Sequence, residues 1–523
     1  MIFKNKIKNN TKFIYLILIS FYSFFINFYY ADFGVFPIDT FLHYDAGYRI
    51  LKNELPVKDF WIVTGFLVDF LQAFFFKVFG VSWISYKIHS SIFNLVISIF
   101  SFYFFLNLNF SNFKSLIYTI CFATLAYTIS GTPFVDLHAS FFLLLSTFVL
   151  ISAFKNPEKN YLWFFFILLI FLSFLSKQVP VVYALILQGP IIIYYMYLKK
   201  EKLNFKYIIS SIFLLPLTFF IILYLLKIDI SLFITEYIKY PREIGSGRIN
   251  IFNISSESFF NKFKFIIIPI IVCILIETFS YVKKIKPIDR NSLLKYLLVF
   301  SLSVSLILHQ LMTKNQMYIY FLLPLLFSVL DKNLNSIIKK KMNYISFIVL
   351  ISLVIITFKY HLRFNENRKF HELENVKLNE TISATNIHTS LKGNLWINPF
   401  YIGLPSEEVS LIRQSANELD KIKEEVMLIT NYLFMDSITG KNMNLPNKAF
   451  TLDGTTYPMV NNKISEDYKK FLFSKIKKKN IKKIYFIKHE KLPSRVFTQY
   501  MNKNCYKLFE NYLFKIYEIK CFE

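Results

Sequence analysis

The chain has 523 residues, 54% hydrophobic and 19% aromatic, with a mean hydropathy of +0.42, an apolar content concentrated in runs long enough to need lipid around them. With 62 phenylalanines and only 12 glycines, that composition excludes a soluble all-β chain and a disordered one. The formal charge of +26 reads as lysine-loaded membrane loops rather than a nucleic-acid footprint, so no nucleic-acid partner is expected.

The first apolar run, residues 13–30, follows Lys4, Lys6, Lys8 and Lys12. At about 18 residues it is long enough to span a bilayer. No small-residue cleavage site follows it, so an anchor is expected rather than a removed signal peptide. Further spans are expected at 84–106, 116–129, 139–153, 161–175, 179–198, 207–226, 263–282, 293–308, 317–330 and 344–360. These make about eleven transmembrane helices. Residues 65–79 are also apolar but carry Asp69, Gln72 and Lys77.

The lysines decide how that segment is read. If 65–79 lies in the interface as an amphipathic helix, four lysine-rich loops share the side of the N-terminus. They hold Lys155 and Lys159; Lys199, Lys200, Lys202 and Lys206; Lys283, Lys284, Lys286 and Arg290; and Lys332, Lys339, Lys340 and Lys341. All then face the cytoplasm, as the positive-inside rule requires. The odd span count puts the C-terminus outside, on the extracytoplasmic face of the cell membrane.

Two domains are expected: a membrane domain over 1–360 and a small α/β extracytoplasmic domain over 361–523. The tail is polar, with short apolar strands at 426–430 and 484–487 and helical segments at 406–425 and 465–478. Residues 446–457, with Asp453-Gly454-Thr455-Thr456, read as a turn, with a binding site as the alternative. The four cysteines have no metal-type spacing, so no metal site or other cofactor is indicated. Cys121 and Cys273 lie in apolar runs; Cys505 and Cys521 are free to pair in an exported tail.

In this topology the outer face carries carboxylates first and cations later. Asp39, His43, Asp45, Arg49, Glu54 and Asp59 lie in the first loop, and Asp136 and His138 in the second. Lys177 forms the very short third loop, and His309 and Lys314 belong to the fifth. In the fourth, Arg242 and Arg248 flank Gly245 and Gly247, expected to be a hinge on which the loop closes over a bound ligand. That division suits a base acting on an acceptor and cations holding a phosphate. Simpler roles stand beside these. Asp39 and Asp136 are also placed to cap helices, Asp45 to pair with Arg49 at i,i+4, and Lys177 to snorkel to the interface.

An Asp just after the first span, the stretch Leu55-Pro56-Val57-Lys58-Asp59-Phe60-Trp61 and Phe76-Lys77-Val78-Phe79-Gly80 form one pattern. Asp136 opening the fourth span, Ser176-Lys177-Gln178, and Tyr318, Tyr320 and Pro324 in a late span complete it. Together they resemble the GT-C membrane glycosyltransferases, a family that includes protein O-mannosyltransferases and bacterial aminoarabinose transferases. The likeness runs in order from about residue 13 to 360. It departs at Asp39-Thr40, where many members have an acidic pair, and at Val63-Thr64-Gly65-Phe66, which replaces a Lys-Pro-Pro element.

The resemblance implies transfer of a sugar from a polyprenyl-phosphate donor to a lipid, glycan or protein acceptor. In that reading Asp39, Asp136 and Asp45 are the catalytic candidates. Lys177, Arg242, Arg248, Lys314, His309 and Arg49 are the substrate-binding candidates. The alternatives are a polysaccharide polymerase or ligase, and a transporter or flippase for a lipid-linked substrate. A transporter predicts charges in mid-span and internal hydropathy repeats.

Overall fold

The computed structural model describes residues 2–250, 257–283, 290–313, 318–337 and 342–521. It is mostly helical, at 69%. The apolar runs fall on helices because their side chains have no polar face to alternate with, and a helix satisfies the backbone within its own segment in lipid. Among the described residues, eight helices are long and apolar enough to cross a membrane. Three others expected to cross are shorter: Asn112–Leu125, Asn160–Ser176 and Leu322–Ile337, with 14, 17 and 16 residues. At 1.5 Å per residue they reach roughly 21–26 Å, short of the ~30 Å hydrocarbon core. The run expected from residue 317 begins its helix only at Leu322, and Met317 lies outside the described residues.

The chain divides into two compact units, each assembled from separated segments. The first comprises Met1–Ala31, Ser90–Leu217 and Ile251–Phe370. Its helices pack through a large aromatic and aliphatic core, with Phe104 stacked on Phe148 at 4.3 Å and Phe154 on Tyr195 at 3.7 Å. Small polar side chains tie the helices together. Asn27 donates to Ser90 and Ser91 at 3.0 Å, Asn94 donates to the Ser23 and Ala123 carbonyls, and Gln188 to that of Leu298. Such bonds substitute for the hydrophobic drive that lipid removes, at about 0.6–2 kcal/mol each.

The second unit comprises Asp32–His89, Thr218–Asn250 and His371–Glu523. The tail expected to be a domain thus acquires two earlier pieces of chain. Its sheet orders the strands as Val426–Ile429, Lys483–Ile487, Phe514–Ile519 and Tyr506–Glu510. The first pair is parallel and the others antiparallel. Pro405–Lys421 and Ser465–Lys478 form the two helices read from the tail's sequence. Cys505 and Cys521 are disulfide-bonded, their Cα atoms 4.6 Å apart, while Cys121 and Cys273 are free and buried.

The segment after the first span is woven into this unit. The Gly34 and Val35 amides donate to the Leu395 and Ile397 carbonyls at 2.9 Å. Phe41, on the helix Pro37–Leu51, sits among Trp83, Trp396 and Phe434. Gly47 permits the next helix to approach, since a Cβ there would meet Gln72 Cγ at 2.8 Å. That next helix, Leu67–Phe79, is the expected interfacial one, with its polarity turned inward. Asp69 and Gln72 are buried with Phe75 and Phe76, whereas Phe74, Val78 and Phe79 are more than half exposed and Lys77 is exposed beside them. Exposed apolar side chains with a lysine among them suit a helix lying where lipid meets water.

Candidate functional site

Three of the sequence-derived candidates meet within the first unit. Phe134 is extended (φ −142°, ψ 128°), and the helix Val135–Lys155 begins after it with Asp136 in the first turn, where the helix dipole favours a negative charge. Phe134, not Asp136, holds the cap position. The helix Asn160–Ser176 stops, Lys177 alone is extended, and Gln178–Leu198 begins at once. That one-residue break fixes where the lysine leaves the backbone. His309 lies in the last turn of Arg290–Met312, and the Tyr318 amide is held by Gln310 Oε1 at 3.1 Å.

All converge on one carboxylate oxygen. Asp136 Oδ1 accepts from Lys177 Nζ at 2.5 Å, from Tyr318 Oη at 2.7 Å, and pairs with His309 Nε2 at 2.6 Å. With the carboxylate ionised, the network assigns the proton to Nε2 of His309. Asp136, His309 and Tyr318 are buried; Lys177 is 16% exposed and is the opening in the cluster. An ammonium held this way can be shared with an anion arriving from that side. His138 does not join. Two residues along a helix is about 200° of rotation, and its Nδ1 bonds Tyr127 Oη at 2.5 Å while its ring lies on Phe93. Among the described residues no group of three or more potential metal ligands occurs.

The first-loop candidates belong to the second unit. Asp39 is half-buried inside the first turn of Pro37–Leu51, so it is not the cap; Phe36 is, and its amide donates to Thr40 Oγ1 at 2.9 Å. Asp45 pairs with Arg49 at 3.6 Å, and both are 2% exposed. Arg49 also binds Glu54 Oε2 at 2.7 Å and the Leu445 carbonyl at 2.9 Å, with its guanidinium over Phe60. The guanidinium expected to meet substrate is therefore turned inward, where it ties the first loop to the tail. Burial pushes the Asp45 carboxyl up to about 6 against the pull of Arg49. Burial also draws the nearby Lys475 ammonium down to about 7, although it donates to the Asp59 and Leu445 carbonyls.

Two arrangements in this unit escaped the sequence reading. His43 Nδ1 and Lys448 Nζ each lie 2.6 Å from an oxygen of Asp69, and all three residues are buried. The residues were visible one by one, but nothing local joins positions 43, 69 and 448. Glu236 is wholly buried, accepts the Ile62 amide at 2.8 Å, and burial raises its carboxyl well above the usual range. It stands on the π-helical turn Thr235–Lys239, a wider winding that is common at functional sites.

The fourth loop differs from expectation. Gly245 and Gly247 are not a hinge between two arginines but part of the helix Tyr240–Asn250. Arg242 is exposed and Arg248 half-buried; six residues apart, they point about 120° away from each other. Lys314 lies outside the described residues.

Comparison with known proteins gives no family to set beside this geometry: no protein-family model and no curated protein matches the chain.

Proposed function

We propose that the protein is a membrane glycosyltransferase that moves a sugar from a polyprenyl-phosphate donor to a lipid, glycan or protein acceptor. The observation that supports this reading is the Asp136 carboxylate holding Lys177 at the end of a membrane-length helix, with the ammonium as the cluster's open member. A lipid-linked phosphate needs a cation at that boundary, and lysine serves it as a point charge. His309 and Tyr318 fix Asp136, so Lys177 keeps its direction when a ligand arrives.

In the reaction, the acceptor hydroxyl oxygen attacks the anomeric carbon. The bond from that carbon to the phosphate oxygen breaks, and the phosphate leaves with the electron pair. The hydroxyl proton passes to a carboxylate, a role we assign to Asp39, the aspartate just after the first span in the GT-C-like pattern. No nucleotide is required, since the donor arrives activated. The test is release of polyprenyl phosphate from a labelled donor by the purified protein.

The proposal includes eleven crossings, with the three shorter apolar helices spanning locally thinned bilayer. The N-terminus is then cytoplasmic and the tail extracytoplasmic. Reporter fusions after Lys200 and after Tyr360 should read opposite sides of the membrane. If only the eight long helices cross, the two fusions read the same side.

A further inference from the structure

We infer that the protein has a second ligand site, a basic cavity that binds the phosphate headgroup of an anionic lipid at the end of the helix Val135–Lys155 remote from Asp136. From Asp136 to Lys155 is 19 residues along this helix, about 28 Å at 1.5 Å per residue. The cavity has a volume of about 250 Å³ and is lined by Lys155, Lys199, Lys202 and Lys295, with Phe154 and Tyr195. The lysines come from three separate parts of the chain. Among the described residues no carboxylate lines the cavity; the neighbouring Glu158 and Glu201 are exposed.

Its wall is built rather than incidental. Phe154 and Tyr195 stack at 3.7 Å with their rings 5° from parallel, and Tyr195 Oη donates to the Phe154 carbonyl at 2.6 Å. Trp163 Nε1 donates to the Pro157 carbonyl at 3.1 Å on the same rim. Lysines flanking cytoplasmic helix ends are ordinary; four converging on one concave, aromatic-walled space are not explained by that rule alone.

The second feature identifies an amphiphile. An apolar cleft of about 150 Å³ adjoins the cavity and shares Lys155 and Lys295 with it. Its walls include Phe104, Leu145 and Phe148. A headgroup phosphate among the lysines would leave its acyl chain to run along this cleft. A free phosphate would use the first feature and leave the second without an occupant.

The test uses the full chain in detergent, with native mass spectrometry reading bound phosphatidylglycerol and phosphatidylcholine. The anionic lipid should bind at least about tenfold more tightly, as several lysines near one phosphate imply. The triple variant Lys199→Gln, Lys202→Gln, Lys295→Gln should erase that preference. The control Lys159→Gln, Lys200→Gln, Lys283→Gln removes the same charge from neighbouring loops and should keep it. Equal binding of the two lipids by the wild-type protein overturns the inference without any variant. Equal loss in both triple variants also overturns it, reducing the effect to general loop charge. Retention of the lipid against millimolar inorganic phosphate supports a lipid ligand; ready displacement overturns the lipid assignment in favour of a soluble phosphate.

Discussion

Asp39→Asn should lower sugar transfer by about two to four orders of magnitude, the usual range for loss of a general base. The substitution keeps size and hydrogen-bonding shape but removes the capacity to take a proton. Asp39 is half-buried in the first turn of its helix and does not cap it, so the helix keeps its cap and loses a dipole interaction of about 0.3–1 kcal/mol there. Donor affinity should be unchanged, because the donor's phosphate does not need the base. Asp45→Asn should behave in the opposite way. Asp45 is buried against Arg49, so its loss should lower the melting temperature more than the rate in the surviving folded fraction. A fully active Asp39→Asn with an inactive but stable Asp45→Asn would exchange the two roles.

Asp136→Ala should be the most damaging single change in the first unit. It removes the shared charged acceptor of Lys177, His309 and Tyr318 at once, and two of those three side chains are buried. Breaking a buried pair by deleting one partner typically costs about 3–5 kcal/mol, a large share of a marginal stability. Thermal unfolding of the purified chain should show it. Lys177→Met separates the structural contribution from the ligand contribution. It leaves Asp136 with His309 and Tyr318, so the fold should survive while affinity for polyprenyl phosphate falls. If Lys177→Met binds polyprenyl phosphate like the wild type, the cluster is structural and the phosphate is held elsewhere.

Much of the helical framework was legible because apolar runs of about 20 residues have few alternatives to helix. The turn at Lys177 was legible too, since two apolar runs separated by three polar residues leave little chain for a loop. Asp136 was singled out by its position, but its three partners lie 41, 173 and 182 residues away. Periodicity says nothing about which distant helix end faces it. The second unit was harder for the same reason. Arg49 meets the Leu445 carbonyl across 396 residues, and Lys448 meets Asp69 across 379. The first loop therefore read as a free cluster of charges when much of it is the interior of a folded unit. Gly245 and Gly247 misled differently: glycine permits a hinge but does not impose one, and the surrounding helix absorbed both.

Turnover of a defined donor tests sugar transfer most directly. The purified protein is incubated with a radiolabelled polyprenyl-phosphate sugar and with lipid, glycan or protein acceptors in turn. Free polyprenyl phosphate and labelled acceptor are then separated and counted. Sugar transfer predicts the two products in equal amounts from the wild-type protein, and near-background amounts from Asp39→Asn. A well-folded wild-type protein that leaves a panel of such donors intact with every acceptor class, or that moves the lipid between leaflets without cleaving it, would contradict it.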